Sequence, residues 1–252
     1  MVTLKRLKRH LANLPGWRTN RKIVVIESDD WGTIRMPSKQ AFDGLLKKGI
    51  RVDQSNYDTL DSLEKGEDLD RLFDVLSSYR SDKGAPAKFT FNTVMTNPDF
   101  EQIKAANYEK YAYESFFESY NRYYGEDLKT LWAKGMENKL FTPQFHAREH
   151  LNANLWLRDL QKGVKDTRNA FDYHFFGLKT VTSSPHQWHY LSAYSAENQQ
   201  ELEQTQLIIE EGLQLFETFF GFRSTSFIGC NYVWPKELEP FLEQQGVRYL
   251  QG

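Results

Sequence analysis

The chain has 252 residues, enough to bury a sizeable core in one large domain or two small ones, and no Pro/Gly/Ser-rich linker or low-complexity run divides it. Its 32 Lys and Arg against 34 Asp and Glu leave a net charge of -2, without the basic footprint of a nucleic-acid binder. Cys230 is the one cysteine, which excludes an intrachain disulfide framework and a cysteine-based zinc ribbon, so a metal has to rest on His and carboxylates.

In chain order, Lys5, Arg6, Lys8 and Arg9 form a basic start that reads as a solvated helix face. It lacks the apolar run of a signal peptide, and no stretch of about 18 residues is apolar enough to span a membrane, so the expectation is a cytoplasmic protein. Apolar segments at 22–28, 88–95, 140–146, 224–230 and 247–251 predict strands, with 178–183 a sixth candidate. Helical periodicity lies between them. Ser38 caps a segment that puts Ala41, Phe42, Leu45 and Leu46 on one face and stops at Gly49. A second helix is expected at 67–79. Residues 97–139 contain NYEKYAYESFFESYNRYYG, read as a Tyr/Phe-rich helical insertion serving as a lid or interface of a single 1–252 domain, since so short a piece does not make an independent core. Leu202, Ile209, Leu213, Phe216 and Phe220 mark a long helix closed by Gly221, and Pro235 opens a last one that buries Leu238, Phe241 and Leu242. Strand then helix, repeated, predicts an α/β fold with a parallel sheet, whose ligands bind at the carboxyl ends of the strands.

Two motifs sit at such ends. VVIESDDWG, residues 24–32, runs a β-branched strand into Asp29 and Asp30, a costly ending unless both carboxylates are solvated, hydrogen-bonded or bound to a cation. Adjacent strand residues face opposite ways, so both serve one site only where the chain turns, as Gly32 allows. QFHAREHLN places His146 and His150 four apart where a strand hands over to a helix, a spacing that lets two imidazoles share an ion when it falls on one helical face. One aspartate would complete a two-His-one-carboxylate site and the other accept a proton from water.

This ordered set, a strand ending in Asp-Asp, a later TFN strand and then H-x-x-x-H, resembles the polysaccharide deacetylases of carbohydrate esterase family four, the chitin and peptidoglycan deacetylase type. The resemblance covers roughly residues 22–252. It implies a distorted (β/α) barrel of the glycoside hydrolase/deacetylase type. It further implies Asp29 as general base, and Asp30, His146 and His150 as ligands of a divalent metal, zinc first. The family's Thr-Phe-Asp-Asp-Gly is here Ser28, Asp29, Asp30, Trp31, Gly32 after Glu27, and of its Arg-x-Pro-Tyr motif only Tyr232 is matched, with Arg223 upstream as a stand-in for the arginine. The family's last motifs have no counterpart before Gly252, so the barrel is expected to be incomplete at its C-terminal end.

The expected activity is metal-dependent removal of an acetyl group from an N- or O-acetylated sugar or polysaccharide. Trp31 and Tyr232 are expected to contact that substrate, and the Tyr232 backbone N–H to hold the oxyanion. The partner is the acetylated carbohydrate, not nucleic acid, and an oligomer is left open. A non-catalytic carbohydrate-binding barrel that keeps its metal is the reading from another class. HAREH also fits the H-x-x-E-H pattern of a zinc peptidase with Glu149 as base, which leaves Asp29 and Asp30 unexplained. His186 and His189, three apart beside Trp188 and Tyr190, read first as incidental histidines of a surface loop and second as a substitute acid or sugar-stacking edge near the site, and Cys230 reads as a small core side chain.

Overall fold

The computed structural model describes Lys8, Leu11 and residues 14–252; the rest of the basic start, His10 included, lies outside the described residues. Five strands form one parallel sheet: β1 (Glu27–Trp31), β2 (Phe89–Val94), β5 (Phe141–Ala147), β6 (Ser226–Ile228) and β7 (Tyr249–Gln251), in that spatial order. A small antiparallel pair, β3 (Thr96–Pro98) and β4 (Tyr113–Ser115), branches off after β2. The fold is therefore mixed α/β with a parallel sheet. The expected barrel is not closed: no ladder joins β7 to β1, and the two edges are bridged only by side chains, Gln251 Nε2 donating to Glu27 Oε1 at 2.5 Å.

Because β1 is an edge strand, its apolar lead-in is not enclosed. Val24 is 85% and Val25 69% exposed, and the paired segment begins at Glu27 rather than at residue 22. The sixth strand candidate, 178–183, is irregular; its Ser183 N–H is taken by the Asp159 carboxylate instead of a ladder partner.

The helices follow their caps and apolar stripes. Ser38 caps α1 (Lys39–Lys47) by accepting from the Ala41 N–H. Two short helical segments precede the site: α2 (Asn56–Leu60) and α3 (Gly66–Ser78). Residues 97–139, expected as a helical lid or interface, send part of their aromatic side chains into the main core. After α4 (Phe100–Ala105), they run through α5 (Phe116–Tyr124) and α6 (Lys129–Glu137), and Phe116, Tyr120 and Trp132 of these helices are buried in the main core. Aromatic side chains that looked like surface decoration are core because α5 and α6 turn them inward. There they join a stack in which Trp31 lies 3.6 Å from Phe91, and Phe91 4.1 Å from Phe141. A second cluster gathers α1, α4 and the helices after β5, α7 (Ala153–Gln161) and α8 (Lys165–Phe171). The long helix α9 (Gln199–Phe220) crosses β5 at Gly212, where a Cβ would come within 2.8 Å of the Phe145 ring, and α10 (Leu238–Gln244) leads into β7.

Candidate metal centre

The site lies at the carboxyl ends of the parallel strands, and two irregularities in their pairing build it. Between β1 and β2, Ser28 pairs with Phe91 and Trp31 with Thr93, so Asp29 and Asp30 together face the single residue Asn92. This is a β-bulge, and Asp30 takes the left-handed conformation at φ 70° that lets both carboxylates turn to one side. Between β2 and β5, Thr93 pairs with Phe145 and Val94 with Ala147, leaving His146 as the extra residue. Each bulge carries one of the predicted ligands. His150 follows in a loop before α7, not on a helical face, so the four-residue spacing meets the ion by a strand-to-loop turn.

The Asp30 Oδ1 lies 3.4 Å from His146 Nε2 and 3.5 Å from His150 Nε2. His146 Nδ1 is 2.9 Å from the Ile228 carbonyl oxygen, which only accepts, so Nδ1 carries a proton and Nε2 is the ring atom left to meet a metal. A carboxylate oxygen and an imidazole nitrogen thus face each other and call for a cation between them. Asp30 Oδ1 is buried without a hydrogen-bond partner, as is His150 Nδ1. Two donors each about 2.0–2.1 Å from a tetrahedral ion stand roughly 3.4 Å apart, which is the spacing found. Asp30 and each imidazole are thus spaced as two donors on one divalent ion would be.

Burial pushes His150 down to about 3, so its ring is neutral and able to ligate. Burial works against ionisation of Asp30, but His150 and His146 when they carry a proton toward it, and the Arg35 guanidinium, outweigh it and hold the carboxyl well below the usual range. Arg35, itself buried, pairs with Asp30 Oδ2 and reaches Asp61 at 3.7 Å. This guanidinium, five residues past Asp30, takes the place for which Arg223 was expected. Arg223 is instead tied to Gln245, donating to its carbonyl at 2.7 Å and its side chain at 2.8 Å.

Asp29 occupies a different environment. Asn92 Nδ2 donates to its Oδ1 at 2.7 Å, and the Tyr232 hydroxyl lies 3.4 Å from its Oδ2. The nearby carboxylate of Asp29 raises the Tyr232 phenol, so that phenol stays a donor at neutral pH. The Tyr232 N–H is not free for an oxyanion, because it donates to the Gly229 carbonyl at 2.7 Å. Trp31 faces away from the site into the aromatic stack of the core, so it is not a substrate contact here.

Asp29, Asp30, Arg35, His146, His150 and Tyr232 share the wall of one cavity of about 710 Å³, along with Lys179, Asp58 and His189. His189, read from sequence as an incidental loop histidine with a substitute acid as the alternative, stands on this wall, and His186 is not among its lining residues. Glu149, by contrast, is not on that wall. It accepts two hydrogen bonds from Arg148, at 2.5 and 2.7 Å, in a buried network that also includes Glu211. No family model, curated protein or solved structure matches this chain. Among the described residues no helix is long and apolar enough to cross a membrane.

One buried group adjoins the centre that sequence assigned to the core. A ring nitrogen of His146, one of His150 and the Cys230 sulfur lie within 4.8 Å of one another, so a buried His-His-Cys group that could hold a metal ion overlaps the Asp-His-His group at both imidazoles.

Proposed function

We propose that the chain is a metal-dependent hydrolase of acetylated sugars, with Asp30, His146 and His150 holding a divalent ion, zinc first. The observation that carries the reading is the convergence of Asp30 Oδ1 with two imidazole nitrogens at 3.4 and 3.5 Å beside a second carboxylate in different surroundings. When bound, such an ion supplies Lewis acidity for an acyl carbonyl and makes a water easier to deprotonate.

The chain's own groups divide the remaining work. Asp29 accepts the proton of the attacking water; Asn92 fixes one of its oxygens and leaves the other toward the cavity. Arg35 holds the second oxygen of Asp30, so that the carboxylate keeps one orientation. His189 is the group on the cavity wall suited to protonate the departing amine or alcohol, a role the sequence left unfilled. Tyr232, 60% exposed at the rim, offers a face for a sugar ring and a hydroxyl to hydrogen-bond it.

The engagement of Glu149 by Arg148 speaks against the peptidase reading, since a general base has to reach the cavity. The test is acetate release from a panel of N- and O-acetylated sugars with zinc present. Wild-type protein is expected to release acetate and Asp29→Ala to lose at least about a hundredfold in rate while still binding zinc. No release from any sugar, with zinc bound stoichiometrically, would favour a carbohydrate-binding barrel without turnover.

A further inference from the structure

Cys230 follows β6 and Gly229, and its thiol is completely buried. A core cysteine is ordinarily surrounded by apolar groups. This one belongs to the main apolar core and also faces two imidazoles: its sulfur lies within 4.8 Å of a ring nitrogen of each. Of those two side chains, His150 is 96% buried and has an Nδ1 with no hydrogen-bond partner, and both contact the unpartnered Oδ1 of Asp30. The backbone enforces the placement. Ile228, whose carbonyl orients His146, is two residues before Cys230, and the Tyr232 N–H closes the turn back onto Gly229.

We propose that Cys230 is a fourth protein donor of this centre and that its sulfur decides which metal is held. The inference rests on the metal reading above and goes beyond it, since that reading needs only three ligands. In a tetrahedral zinc site, bonds of about 2.0–2.1 Å to nitrogen and 2.3 Å to sulfur put the two donors roughly 3.6 Å apart. From the present separation, within 4.8 Å of a nitrogen of each ring, a closure of at most about 1.2 Å brings the thiol to that spacing. The proton of the thiol leaves to solvent as the ion enters.

Two consequences follow from the donor chemistry. A thiolate together with the Asp30 carboxylate balances the two charges of the ion, which suits a buried site better than a single carboxylate. Sulfur also favours zinc, cobalt and cadmium over magnesium, calcium and manganese, which prefer oxygen.

Cobalt reports the ligand directly. The full chain, stripped with chelator and titrated with Co²⁺, is expected to take up one equivalent and to develop a near-ultraviolet sulfur-to-cobalt charge-transfer band. Cys230→Ser is expected to bind one equivalent without the band, and to lose at least about tenfold in Cd²⁺ affinity while its Mn²⁺ affinity changes little. One equivalent bound by the wild-type chain with no such band overturns the role of Cys230 and leaves the Asp-His-His centre standing. No Co²⁺ bound at all overturns both. The wild-type spectrum alone decides the matter if the serine variant does not fold.

Discussion

Asp29 and Asp30 are neighbours in the chain with different environments, because the backbone reverses hand between them. Asp30 is drawn into a shell of two imidazoles and a guanidinium; Asp29 meets an amide and a phenol. A third carboxylate holds the turn in place. Glu64 accepts from the Gly32 N–H at 3.1 Å and from the Tyr120 hydroxyl, and burial raises its carboxyl from 4.5 to about 7. A carboxyl raised on folding favours the protonated native state. Its contribution is therefore full below about pH 4.5 and is lost as pH rises through about 7. The span corresponds to roughly 3 kcal/mol. Glu64→Gln keeps an acceptor for Gly32 but cannot ionise, so urea unfolding of the variant is expected to lose that fall in stability between pH 5 and pH 8. Equal slopes for variant and wild type would show that Glu64 is not the titrating group.

At the scale of elements, the bulges of β1 and β5 matter more than the strands themselves, since each turns one ligand toward the cavity. Gly32 closes the first. Its φ is 82°, and a Cβ there would lie 2.7 Å from the Val94 carbonyl oxygen and 2.9 Å from the Phe116 ring. Gly32→Ala is expected to cost roughly 2 kcal/mol or more in urea unfolding, from backbone strain and the contact together. It should also weaken metal binding, because Asp30 shares the turn. Unchanged stability would mean that the turn relaxes freely.

How far these elements could be read from sequence depends on which interactions are local. The strands at 88–95, 140–146 and 247–251 and the α1 and α9 helices were legible because apolar periodicity, Ser38 and Gly221 are local signals. The Asp-Asp and His-x-x-x-His pairs were legible as residue types at strand ends. The bulges were not, because register depends on the neighbouring strand. Asn92 and His189 reach the site through contacts between distant segments, which spacing along the chain does not record, and Arg35, only five residues past Asp30, is brought back to it by the turn at Gly32. The surroundings of the Tyr-rich insertion were not legible for the same reason: helix periodicity shows that a face is aromatic, not what it faces.

At the scale of the molecule, the centre ties together segments far apart in sequence. Asp30 comes from β1 at one edge of the sheet, His146 from β5 in its middle, and His150 from the loop leading to α7; the carbonyl that orients His146 belongs to β6. Without a cation, the buried Oδ1 of Asp30 and the unpartnered Nδ1 of His150 oppose this packing, since each is a desolvated polar atom with nothing to satisfy it. A bound ion removes part of that cost only in the folded chain. Zinc at about a hundred times its dissociation constant should stabilise the native state by roughly 2.7 kcal/mol, which raises Tm by roughly 5–10 °C for a chain of this size. Chelation should reverse the shift. His146→Ala and His150→Ala are each expected to abolish it, as read by thermal unfolding with and without zinc and by metal content after dialysis. A zinc-dependent rise that survives in both variants would place the ion elsewhere in the molecule. A rise lost in both assigns the coupling between ligand and fold to the junction of β1, β5 and the loop before α7.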